Sequence, residues 1–252
     1  MNKTIWICWF QGEDDPKMPP LNRECIKRWR SLNPDWQVNV LSDKTIDQYA
    51  PEYFDIVKRC KVERALAAKS DLIRLLLLEK YGGVWADASL YPVTGINVMV
   101  KDYLNESNFF AYRYKPRYIN HCGIKEIASF FLISPHKESY IIQKWKTEFV
   151  KRFVSNSPNT GCHAINSIKN FTKDNFEYQT VFSVISQLYD ADDQIRTTIN
   201  SMAQIDEKHV HSFTPRGDDR YAKNFYCHTY KRPDKNLMQK YLSSLNHDRQ
   251  AQ

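Results

Sequence analysis

Lys69-Ser70-Asp71-Leu72-Ile73-Arg74, followed by Tyr81-Gly82-Gly83-Val84-Trp85-Ala86-Asp87-Ala88-Ser89, is the stretch that decides the fold. Between Val62 and Tyr81, the residues Ala65, Leu66, Ala68, Leu72, Ile73, Leu76, Leu77 and Tyr81 recur at helical spacing, which predicts a long helix with a wide apolar face. Gly82-Gly83 predicts its end, because a left-handed C-cap costs glycine little. Val84-Trp85-Ala86 then reads as a short buried strand delivering Asp87 at its carboxyl end, where open α/β sheets bind ligands.

Outward from this centre the pattern stays α/β. Thr4 to Phe10 reads as a buried first strand closed by the polar Gln11 to Pro16. Leu21, Cys25, Ile26 and Trp29 predict a helix from Pro20 to Asn33-Pro34. Trp36 to Leu41 alternates as a strand, and Ser42 or Asp43 is placed to cap a short helix after it. Phe109 to Tyr114 and Ser129 to Ile133 read as strands, and His136 to Phe153 as a helix with Ile141, Ile142, Trp145 and Phe149 on one face. Glu177 to Tyr189 reads as a further helix, Ser155 to Gly161 as a polar loop, and the stretch from Arg232 as a fraying helix.

The 252 residues, 42% of them hydrophobic, suit one medium-sized domain with a sizeable core. The apolar run Ile5 to Phe10 is too short for a signal h-region and Leu75 to Leu78 far too short to cross a bilayer, so neither export nor a membrane span is expected. Six cysteines without a CxxC pair argue against a zinc ribbon or a disulfide scaffold, and favour free thiols in a reducing, cytoplasmic setting. The net charge of +7 favours anionic partners, but the basic residues are interleaved with acids and form no nucleic-acid motif.

The chemistry concentrates at the central stretch. Asp71 and Arg74, three apart on a helix, project from one face; alone they read as a surface ion pair, and in this setting they can pair or jointly grip a polyhydroxylated ligand. Asp87 is a hard oxygen ligand suited to Mn²⁺ or Mg²⁺, and an ion there would hold a diphosphate.

This two-part motif resembles the sugar-binding and Asp-x-Asp region of glycosyltransferase family 32, notably its bacterial capsular-polysaccharide branch. Ile5-Trp6-Ile7-Cys8-Trp9-Phe10 with Met18-Pro19-Pro20 is similar to the family's opening, and His228-Thr229-Tyr230-Lys231 to its closing motif. The resemblance implies a GT-A-type, Rossmann-like mixed sheet flanked by helices in a single domain, with residues 1–92 as the donor half and 93–252 as the acceptor half and closing segment. It implies transfer of a hexose, with retention of configuration, from a nucleoside-diphosphate sugar to a saccharide or lipid-linked saccharide. A UDP-sugar is the expected donor. Asp71, Arg74 and Asp87 become the catalytic candidates; Trp6 or Trp9, with Ser89 and Lys231, complete the donor site. Asp87, Ser89 and His228 are the metal candidates, and Gln179 and His163 face the acceptor side.

Ser89 departs from the family pattern: it is neutral where a second carboxylate is expected, which weakens the implied metal site. A non-catalytic or metal-independent sugar-nucleotide binder is therefore a competing expectation, and a nucleic-acid-binding protein a weaker one. Lys223, Lys231, Arg232, Lys235 and Lys240 gather near the C-terminus, a pattern that suits peripheral contact with an anionic membrane face.

Overall fold

Strands β1 (Thr4–Cys8), β2 (Gln37–Leu41) and β3 (Gly83–Ala86) run parallel, with β1 between the other two. β6 (Ile127–Ser134) lies antiparallel to β3, and β5 (Phe110–Arg113) antiparallel to β6, giving the order β2-β1-β3-β6-β5. β3 and β5 both oppose β6, so they point the same way. The carboxyl ends of β1, β2, β3 and β5 therefore share one edge of the sheet. This computed structural model describes residues 1–60, 63–92, 94–104, 107–113, 127–155, 173–205 and 221–223.

Strand alternation sorts the core into two layers, because successive side chains leave a strand on opposite faces. Ile5, Ile7, Val84, Ala86, Phe110, Tyr112, Phe131 and Ile133 pack toward α1 (Pro20–Leu32), α5 (Ile96–Tyr103) and β4 (Leu90–Pro92). β4 pairs with β7 (Tyr221–Lys223), which brings a late segment of the chain beside the turn that follows β3. Trp6, Trp85, Ala111 and Leu132 pack the other way, toward α4 (Leu66–Tyr81), α6 (Tyr140–Ser155), α7 (Lys173–Ala191) and α8 (Asp193–Ser201). Two short helices, α2 (Ile46–Tyr49) and α3 (Glu52–Lys58), close that layer through Ile46, Tyr53 and Ile56. The expected α/β class, a mixed sheet flanked by helices, is what the chain adopts.

The expected long helix is α4, and it differs from an amphipathic surface helix. It packs on β1 and β3 and also against α3, α6 and α7, so Leu72, Ile73, Leu75, Leu76, Leu77 and Leu78 are all buried around its circumference. Each such leucine contributes about 1.5–3 kcal/mol of burial. Its start is later than expected: Ala65 has the extended ψ of 147° and Leu66 is 52% exposed, so the first turn lies off the apolar face. Gly82 and Gly83 do take positive φ, 69° and 100°. With ψ at −161°, however, Gly82 sits in a region open essentially to glycine alone rather than in a left-handed helical cap.

Neither Ser42 nor Asp43 caps α2. The N-cap is Thr45, whose hydroxyl faces backward and accepts the Ser42 backbone N–H at 2.9 Å, while the Ile46 N–H donates to the Ser42 carbonyl. Ser155, expected to open a polar loop, ends α6 instead; the rest of that expected loop, Tyr114 and the stretch from Arg232 lie outside the described residues. No described helix is long and apolar enough to cross a membrane.

Candidate active site

The Gly82-Gly83 reversal folds β3 back along α4, so the carboxyl end of β3 meets the first half of the helix. There Arg74 joins two carboxylates. One guanidinium nitrogen pairs with Asp71 Oδ1 and the other with Asp87 Oδ1 at 3.0 Å. The Trp85 indole N–H donates to the same Asp87 oxygen at 2.9 Å, and the Arg74 guanidinium lies 5.1 Å from the centre of the Trp85 ring. The side chains of Arg74 and Asp71 are only 4% and 6% exposed, whereas Asp87 is 29% exposed. The expected pair is therefore buried, and Asp87 is its outlet to solvent. Burial pushes the Asp71 carboxyl up to about 7 against the pull of Arg74, and the nearby Asp87 charge pushes the same way.

Around this triad the edge is acidic. Cys8 ends β1 between the ends of β2 and β3, and burial together with the charges of Asp43 and Asp87 raises its thiol pKa, keeping it neutral. Asp43, whose backbone N–H donates to the Phe10 carbonyl at 2.9 Å, is exposed at the end of β2. Its charge, with burial, also raises the Tyr53 phenol. Ser89 is half-buried in the turn closed by the Leu90 N–H to Asp87 carbonyl bond of 2.9 Å, two residues from Asp87.

Asp87 and Ser89 offer a divalent ion two hard oxygen donors, and among the described residues no three His, Cys, Asp or Glu side chains form a metal-holding group. These donors fit a Mg²⁺ or Mn²⁺ ion that takes the rest of its shell from water and a substrate diphosphate, as magnesium commonly does.

Of the two indoles expected at the donor site, Trp6 belongs to the core. It is 2% exposed, its N–H donates to the Gly82 carbonyl at 3.0 Å, and its ring packs 5.3 Å from both Tyr49 and Tyr81. Its strand position turns it under α4, away from the edge. Trp9, just past the end of β1, is half-buried at that edge, and its buried indole N–H meets no acceptor among the described residues. His163, His228 and Lys231 lie outside the described residues, as does the side chain of Gln179 on α7. Lys223 of β7, five residues before His228, pairs with Leu90, three residues after Asp87. Asp43 and Cys8 were not singled out by sequence reasoning. A carboxylate two residues after the strand read over Trp36 to Leu41 was the available signal for Asp43.

The chain matches the family model described as capsular polysaccharide synthesis protein over residues 1–247. It is 31% identical over 112 residues to an initiation-specific alpha-1,6-mannosyltransferase of Saccharomyces cerevisiae, a match covering 41% of this chain and 23% of the yeast protein. To the O-glycosyltransferase PaGT of Phomopsis amygdali it is 24% identical, over 64% of this chain and 41% of that one. The matches thus span less than half the length of these relatives. A solved structure of the PaToxG glycosyltransferase aligns with 79% of this chain and 78% of its own, at a TM-score of 0.43 and 14% identity.

Proposed function

The chain belongs to the capsular polysaccharide synthesis protein family, and from that premise we propose that it is a glycosyltransferase of GT-A type. It moves a hexose from a nucleoside-diphosphate sugar, with a UDP-sugar as first choice, to a saccharide or lipid-linked saccharide, in capsule- or O-antigen-type synthesis on the cytoplasmic side. The observation that carries this reading is the buried Asp71–Arg74–Asp87 cluster at the carboxyl edge of a parallel sheet. The glycosyltransferases among its relatives support the same reading.

In this reading residues 1–92 hold the donor and the later part of the chain the acceptor. Trp9 supplies the face for the nucleobase, and Asp43, at the end of β2, accepts ribose hydroxyls, as acidic residues at that position do in other nucleotide-binding sheets. Asp71 and Arg74 fix sugar hydroxyls and phosphate through charge-assisted hydrogen bonds. Their burial removes competing water and holds them in one geometry, so positioning is prepaid. Asp87 and Ser89 face the diphosphate, a role that the family resemblance also assigns to His228 and Lys231. A divalent ion held by Asp87 and Ser89 would neutralise charge on the departing group. For transfer with retention on one face, the diphosphate oxygen takes the acceptor proton as the glycosidic C–O bond breaks, so no separate protein base is required.

Calorimetric titration of UDP-, GDP- and CDP-sugars, with and without Mn²⁺, on wild type and Asp87→Ala tests this. Saturable binding of one donor, weakened by the substitution and by chelator, is the expected result. No binding to any nucleotide sugar would overturn the reading. Ser89 motivates one second reading, a sugar-nucleotide binder without turnover, which donor binding with no transfer or hydrolysis under any metal would support.

A further inference from the structure

The two oxygens of the Asp87 carboxylate are not equivalent. Trp85 and Asp87 stand two apart in one extended run, so both side chains leave the sheet toward α4. The Trp85 indole N–H thereby reaches Asp87 Oδ1 at 2.9 Å, and Arg74 Nη2 donates to the same atom at 3.0 Å. A carboxylate oxygen has two lone pairs, so Oδ1 is full. No donor among the described residues meets Oδ2, and the side chain is 29% exposed, which makes Oδ2 the oxygen turned to solvent. The backbone is held as well: the Asp87 N–H donates to the Phe130 carbonyl at 2.9 Å, extending the β3–β6 ladder one residue past β3. Trp85 is 1% exposed, with the Arg74 guanidinium over its ring, so it touches no ligand and acts only through its two neighbours.

This arrangement decides what Asp87 can give a cation. With Oδ1 filled, it binds one-pronged, through Oδ2 alone. Calcium takes many oxygens and often both oxygens of one carboxylate, whereas magnesium keeps a tight octahedron of one or two carboxylate oxygens, water and substrate phosphates. Ser89, two residues on, adds a single hydroxyl and no chelating pair. We propose that Trp85 is a positioning residue: its indole N–H, together with Arg74, locks Asp87 in the one-oxygen mode and so makes the edge prefer magnesium-sized ions to calcium. Hydrogen bonds made to a ligating carboxylate from outside the coordination shell are known to tune a site in this way. The inference rests on the transferase reading given above, and it names the ion that reading requires.

The test uses the full chain saturated with whichever of UDP, GDP or CDP it binds. Mg²⁺ and Ca²⁺ are titrated calorimetrically into wild type, Trp85→Phe, and a chain with benzothienylalanine in place of Trp85. The sulfur of that analogue stands where the indole nitrogen does and cannot donate, while the ring keeps its volume and its contact with Arg74; thermal midpoints check the fold. Both altered chains should bind Mg²⁺ about tenfold or more weakly, as the loss of an outer-shell partner does. Ca²⁺ should weaken less, because a lone pair on Oδ1 is released to it, so the ratio of the two affinities narrows. A general loosening of the core would lower both ions together and leave that ratio unchanged. An unaltered ratio in the benzothienyl chain, even with a change in Trp85→Phe, assigns Trp85 to packing alone and overturns the proposal with the transferase reading intact. Wild type that binds Ca²⁺ as well as Mg²⁺, or neither ion, overturns it too. Wild type that takes no nucleotide sinks the transferase reading, and this inference with it.

Discussion

Arg74 holds two carboxylates at once, and the three groups cannot be altered independently. Arg74→Met leaves Asp71 without its cation, and above about pH 8, where Asp71 is charged in the wild type, that costs about 3–5 kcal/mol. Adding Asp71→Asn removes the stranded charge, so the double variant should recover more than half of the lost urea stability while donor binding stays lost. A double variant no more stable than Arg74→Met would mean the guanidinium acts through packing on Trp85 instead. The raised carboxyl of Asp71 adds a pH signature. Its folded value of about 7 lies above the 3.8 of a free side chain, so the unfolded chain loses its proton first as pH rises. Stability from this group is full below about pH 4, declines from there to about 7 by up to about 4 kcal/mol, and is level above. Urea midpoints from pH 4 to 8 should show that decline in wild type and not in Asp71→Asn. An equal slope in both proteins would place the titration elsewhere.

At the scale of elements, the α4–β3 reversal aims Asp87 at Arg74, and two glycines make it possible. A Cβ on Gly83 would come within 2.5 Å of the Thr4 carbonyl oxygen, and one on Gly82 within 2.7 Å of the His136 carbonyl carbon. Both contacts are with backbone, and both residues have positive φ, so neither neighbour can yield cheaply. Gly83→Ala should cost on the order of 3 kcal/mol and weaken donor binding in parallel, because β3 shifts as a unit. Denaturation midpoints read together with titration would show it; lost stability with intact binding would uncouple the turn from the site. This unit was also the most legible part of the sequence. A long apolar period, a double glycine and a strand ending in Asp carry α4, β3 and the Asp71–Arg74 pair without tertiary information; that Arg74 also reaches Asp87 does not follow from them. The elements that escaped are short: β4 and β7 span three residues each, α3 seven, α5 eight and α8 nine. Over such lengths periodicity has too few repeats to register, and packing decides. Trp6 could not be assigned from sequence for a related reason. A strand tells which residues alternate but not which face carries the ligand edge, and Gly82, which claims the Trp6 N–H, is 76 residues away.

Taken as a whole, the proposed site lies where β1, β2 and β3 end together and where α4 presents its first turns. A ligand bound there touches both the sheet and the helical layer, so it should stabilise the folded chain cooperatively. At a hundred times its dissociation constant, a donor nucleotide with Mn²⁺ adds about 2.7 kcal/mol. For a chain of this size that raises the thermal midpoint by about 5–10 °C. Asp87→Ala gives the control that separates binding from folding. Asp87 is 29% exposed and Arg74 keeps Asp71 when it is removed, but the Trp85 indole N–H and one Arg74 nitrogen lose their acceptor, so the unliganded midpoint should fall, by less than in Arg74→Met. The ligand-induced rise should nevertheless disappear, and chelation should reduce it in wild type. If Asp87→Ala lowers the unliganded midpoint as far as Arg74→Met does, Asp87 is a structural partner of the buried pair rather than its outlet to substrate. A preserved rise in Asp87→Ala would instead move the diphosphate away from β3, and the acidic edge would need another ligand to explain it.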